Sequence, residues 1–156
     1  MIDLEVLLLN IETILKANIN NEIDLINASK ADTITLGYIS DNAYCMQSLD
    51  DSVFNYDPII FYGLTGNEVL NNGPQNIQTL TFDIMVIAAD DTDGKNMTIK
   101  MLRYQEVLKR VIEKNWHKGV NSNRINLKGL MPISVVGLND SNEHRVIGVQ
   151  ITTSIA

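Results

Sequence analysis

Residues 77–89 read IQTLTFDIMVIAA, followed by the acidic turn Asp90-Asp91-Thr92-Asp93-Gly94 and then by a segment of different period that runs to Trp116. Leu80, Phe82, Ile84 and Val86 alternate with Thr79, Thr81 and Asp83, the pattern of a strand with one buried face. Met85 and Ile87 make the second face apolar toward the strand's end. After the turn, Met97, Met101, Tyr104, Leu108, Val111 and Ile112 recur at helical spacing, so a stripe faces the core and Trp116 closes it. Asp93 or Asn96 is the expected cap. A strand that turns directly into a core-facing helix sets the architecture as helix on sheet.

Upstream, Leu4, Leu7, Leu8, Ile11, Ile14 and Leu15 form another helical stripe, capped by Asp3 and expected to end near Asn18. Residues 19–30 show no clean period and read as a loop with at most one helical turn. Ile34, Leu36 and Tyr38 alternate with Thr33, Thr35 and Gly37, predicting a short β segment ended by Ser40-Asp41-Asn42. Residues 44–56 read as a polar, acidic connection, and Pro58 to Tyr62 as a strand in which Pro58 takes the first position, where its missing N–H costs no ladder bond. The clusters Gly63-Leu64-Thr65-Gly66-Asn67 and Asn71-Asn72-Gly73-Pro74 predict a loop with a tip before the central strand.

Downstream, a polar loop from Gly119 to Asn126 leads to two β segments, Leu130–Val136 and His144–Ile155, joined through Asn139-Asp140-Ser141-Asn142. The predicted fold is α+β: a mostly antiparallel sheet with two helices packed on it and a C-terminal β-hairpin. It forms one domain over residues 1–156, with an irregular insert around 19–56. At this length folding buries roughly 70% of the unfolded chain's surface, enough for a core without staples.

The net charge of −7 argues against general nucleic-acid affinity, which is driven by Lys and Arg displacing counterions from phosphate. The charge is sharply divided. Residues 1–94 hold 15 acids against Lys16 and Lys30, and residues 95–128 hold nine bases against Glu106 and Glu113, giving −13 and +7. Lys100, Arg103, Arg110 and Lys114 share the side of the second helix away from its apolar stripe, where Glu106 is placed to pair with Lys109 or Arg110. Opposite blocks on one small domain suit docking of one copy on the next, so these four residues are the candidate subunit or partner docking site.

Catalytic and cofactor signatures are missing from the sequence. It contains no P-loop, G-x-G-x-x-G, G-x-S-x-G or H-E-x-x-H pattern. Asp93-Gly94 imitates part of a calcium loop, but Ala89 and Lys100 stand where the first and last carboxylates are needed. The single Cys45 and the separated His117 and His144 do not make a metal set or a nucleophile–base pair. The expectation is a non-enzymatic protein with no cofactor and no metal. No run approaches a membrane span, and the acidic start, with its short apolar run Val6–Leu9, carries no expected export signal.

Four features together resemble the tail terminator (tail completion) proteins of tailed bacteriophages: the proline-led Pro58-Ile59-Ile60-Phe61-Tyr62, the run Thr79–Ala89 with its acidic turn, the helix containing Met101-Leu102-Arg103-Tyr104-Gln105-Glu106-Val107-Leu108, and the tail from Gly129-Leu130-Met131-Pro132-Ile133 through Val146-Ile147-Gly148-Val149-Gln150-Ile151. The resemblance covers residues 58–156 with a compatible first helix. It implies a virion structural protein, made in the bacterial host cytoplasm, that forms a hexameric ring at the head-proximal end of the tail tube. Its implied partners are further copies of itself, the tail tube protein and neck or head-tail connector proteins, with sheath protein as a further candidate. Genome DNA would only transit the lumen. Another ring of the same particle, a connector or a tube subunit, is the alternative reading.

Overall fold

The structure is a computed structural model that describes residues 3–72, 75–89, 94–119, 124–139 and 142–155. The acidic turn 90–93 with the expected cap Asp93, the tip at 73–74 and the link at 140–141 lie outside the described residues, as do the side chains of Trp116 and His117. The element order is α1 (Leu4–Ser29), β1 (Tyr44–Met46), a 3-10 turn (Asp51–Asn55), β2 (Ile59–Asn72), β3 (Gln75–Ala89), α2 (Gly94–Gly119), β4 (Arg124–Asn139) and β5 (Asn142–Ile155). The strands form one sheet in the order β1-β2-β3-β5-β4. β1 runs parallel to β2, and every other pairing is antiparallel, so the fold is α+β with two helices on a mostly antiparallel sheet.

β3 is the central strand, and its two faces have different covers. Rows of apolar residues cross the sheet beneath the helices: Ile60, Val86 and Ile147 in one row, Tyr62, Ile84 and Val149 in the next. Met101, Tyr104, Leu108 and Ile112 from α2 and Leu7, Ile11, Leu15 and Ile19 from α1 close over them. On the reverse face, Ile59, Ile87 and Val146 form the opposite-parity row and are covered by Cys45 and Val53. The apolar turn of β3's second face is therefore explained by a small second core under the 3-10 turn.

α1 runs eleven residues beyond the expected end near Asn18, to Ser29. Residues 19–29 contain Asn20, Asn21 and Asn27, each costing the helix at most roughly 0.7 kcal/mol in propensity. Ile19, Ile23 and Ile26 continue the buried stripe, and each contributes roughly 1.5–3 kcal/mol on burial. Burial wins by a factor of at least two. At the other end, Asp3 Oδ1 accepts from the backbone N–H groups of Glu5 at 3.0 Å and Val6 at 3.4 Å, as its position suggested. Asn96, by contrast, lies inside α2 rather than at its cap.

Other boundaries also shift. The predicted loop before β3 is instead the continuation of β2 to Asn72, with an irregular register between Leu64 and Gly66. The connection at 44–56 contains β1 and the 3-10 turn, whereas residues 30–43 belong to no helix or strand. β4 begins at Arg124, within the stretch expected as loop, and pairs with β5 as far as Asn139 opposite Asn142.

Candidate docking surface

Residues 34–38, expected as a short β segment, do not join the sheet. Their backbone groups are instead satisfied by side chains of the two helices. Asn20 donates to Ile39 O at 3.1 Å and accepts from Ile39 N at 2.8 Å. Two helical turns on, Asn27 makes the same pair with Leu36, at 3.1 and 2.8 Å. From α2, Tyr104 Oη accepts from Gly37 N at 2.9 Å and donates to Gly37 O at 3.1 Å. A side-chain amide supplies the same donor and acceptor as a neighbouring strand, so the segment needs no sheet partner. It lies as a strap across the helices with Leu36 and Ile39 buried beneath it.

This strap takes up one of the four candidate docking residues. Arg103 is only 9% exposed, because its guanidinium forms a two-pronged pair with both carboxylate oxygens of Asp32 and donates to Ile34 O at 2.7 Å. The Arg103 hydrogen bond holds the Asp32 carboxyl below its ordinary range. Planar, two-pronged recognition of this kind is what distinguishes arginine from lysine. Lys114 also finds an acid within the chain, with Nζ 2.5 Å from Glu22 Oε1 on α1. Arg110 pairs along its own helix with Glu106 at 3.1 Å, the pairing expected from their spacing. Lys100 is half-buried on the same helix.

The four bases are thus not one open patch. Arg103 and Lys114 tie α2 to the acidic first part of the chain, while the side chains of Arg110 and Lys114 remain partly in solvent. Sequence alone carried the charge division but could not show that part of the acidic block lies against the basic helix. The asparagine clamps were likewise missed; the available signal was the seven-residue spacing of Asn20 and Asn27, which places both on one helix face.

A second polar cluster joins α1 to the sheet edge. Tyr62 Oη donates to Glu12, whose other oxygen lies 2.6 Å from Lys16 Nζ, and Lys16 sits 5.3 Å over the Tyr44 ring. The Lys16 and Tyr62 hydrogen bonds lower the Glu12 pKa, whereas burial and the Glu12 contact raise that of Tyr62. His144 is buried with its ring 5.2 Å from that of Phe54, edge to face. Cys45 is buried, and burial pushes its thiol up, away from the reactive thiolate. Among the described residues there is no group of three or more His, Cys, Asp or Glu placed to hold a metal ion. No helix among them is long and apolar enough to cross a membrane.

Among the described residues, a groove of about 430 Å³ lies between the end of α1 and α2. Ile26, Ile99 and Leu102 line it together with Lys30, Glu106 and Arg110. Compared with family models and with curated proteins, the chain matches none.

Proposed function

We propose that the chain is the subunit of a ring that caps the head-proximal end of a phage tail tube, stops tube polymerisation and joins the tail to the neck. The observation that carries this reading is the succession β2–β3–α2–β4–β5, the set of elements on which the resemblance to tail terminator proteins rests. The charge layout supports it: a ring needs two different patches of one subunit to meet, and a DNA conduit should not hold phosphate tightly. In this reading the subunit is a non-enzymatic virion component whose partners are its own copies, the tube protein and the neck proteins. The basic side of α2 is the docking face, with Arg110 and Lys114 at its surface and Arg103 fixing the strap beneath.

Negative-stain imaging of the purified protein, alone and mixed with its tube protein, tests the proposal. Rings alone and capped tubes of limited length are the expected result. A monomer that leaves tube growth unchanged would sink it. Long tubes formed by the protein alone would reassign it to the tube subunit.

A further inference from the structure

The groove between α1 and α2 brings the apolar Ile26, Ile99 and Leu102 together with exposed Lys30 and with the Arg110–Glu106 pair. Leu102 is half exposed, Ile26 is buried and Lys30 stands in solvent. The opposite end of α1 has the complementary character. Val6 and Leu9, one helical turn apart, are 50% and 46% exposed, and the exposed carboxylates Asp3 and Glu5 flank them. The geometry points to the first turns of α1 from a second copy of this chain as the occupant of the groove, with Val6 and Leu9 against Leu102 and Glu5 near Lys30.

Three observations select that occupant. The charges are complementary, and an amphipathic helix laid in a groove through one-turn anchors is a common mode of recognition. Val6 lies in the first turn of α1 and Lys30 caps the helix's far end, so about 36 Å separates them and no molecule can fill its own groove with its own first turn. The other large exposed apolar side chains beside acids, Leu25 and Tyr38 at Asp24, Leu49 and Tyr56 next to Asp50 and Asp57, and Val69 at Glu68, do not form a pair one helical turn apart. The contact joins different surfaces of two subunits and therefore repeats head to tail, closing as a ring when the rotation per step allows. It rests on the reading of the chain as a ring subunit and supplies that reading with its subunit contact.

Sedimentation velocity of the full chain over a concentration series tests it, with circular dichroism confirming that these surface variants fold. Self-association is expected for the wild type. Leu9→Asp and Leu102→Asp should each weaken it about tenfold or more, as should Glu5→Lys and Lys30→Glu separately. The double variant Glu5→Lys/Lys30→Glu should recover most of the loss. A wild type that stays monomeric, single variants that associate as tightly as the wild type, or charge reversals that fail to rescue each other would overturn the inference. Tube capping separates this from the broader proposal. Capping that survives in all four single variants leaves the terminator reading standing without this contact. Rings that respond as expected but never limit tube length leave the contact standing without the terminator reading.

Discussion

Lys114 on α2 approaches Glu22 on α1 to 2.5 Å, a contact between residues 92 positions apart in the chain. Glu22 is buried, and its second carboxylate oxygen, Oε2, has no hydrogen-bond partner. A buried carboxylate satisfied on one side only depends heavily on its single cation.

Lys114→Met is therefore expected to destabilise the protein by about 2 kcal/mol, less than a fully buried pair because the lysine is half exposed. Adding Glu22→Gln should restore most of that loss by removing the stranded charge. Urea midpoints of the two variants and the wild type measure both effects. An unchanged midpoint for Lys114→Met would show that the contact contributes nothing.

The strap gives a residue-resolved expectation. Asn20→Ala should expose the Ile39 amide and Asn27→Ala the Leu36 amide, because each asparagine is that amide's hydrogen-bond acceptor. Each change should cost about 1 kcal/mol. Hydrogen exchange followed by NMR should show faster exchange at the matching amide, with little change at the other. Equal acceleration of both would mean that the strap is released as a unit rather than held by separate clamps.

Glu12 ties part of the stability to pH. Its folded pKa lies below the ordinary 4.5, first through Lys16 and then through Tyr62. A depressed carboxyl pKa contributes stability that is present above the unfolded value and is lost as pH falls through the folded value. Stability should accordingly decline as the medium is acidified below 4.5, and Glu12→Gln should make that decline shallower. Tyr62→Phe should raise the Glu12 midpoint, which carboxyl-carbon NMR can follow. A wild-type midpoint at or above 4.5 would contradict the assignment.

Gly148 on β5 is a packing requirement. A Cβ there would lie 2.4 Å from Ile84 O and 2.7 Å from Met85 Cγ, and the first of these is backbone that cannot rotate away. The Gly148 carbonyl is also held from above by Gln105 Nε2 at 2.9 Å. Gly148→Ala should cost about 3 kcal/mol, read as a lowered thermal midpoint. A midpoint within error of the wild type would show that β3 and β5 can separate slightly at that point.

The front stripe of β3 and the stripe of α2 were legible because several large apolar residues repeat one period without interruption. The second half of α1 was not, since Asn20, Asn21 and Asn27 mask the period kept by Ile19, Ile23 and Ile26. The strap looked like a strand because local alternation does not reveal whether partners are backbone or side-chain amides. β1 is only three residues long, and its partner is Ile60–Tyr62, a pairing no local pattern encodes. Gly63 and Gly66 read as breakers, yet β2 passes through both. Gln47 makes that possible by supplying strand-like hydrogen bonds to Leu64 N and O, at 2.8 and 2.9 Å. Of the candidate docking residues, the location on α2 was readable, but the attachment of Arg103 to Asp32 was not, because it joins positions 71 apart.

The strap also imposes an order of events during synthesis. Residues 32–39 emerge early, but their anchors Arg103 and Tyr104 lie 71 and 67 positions later than Asp32 and Gly37. Until α2 has left the ribosome, this segment has the two asparagine clamps and the Tyr38 hydroxyl on Asp24 but neither of its α2 anchors, and the apolar side of α1 lacks its main cover. The N-terminal part is thus expected to wait as an incomplete, collapse-prone intermediate, and closure to come late through contacts of long sequence separation.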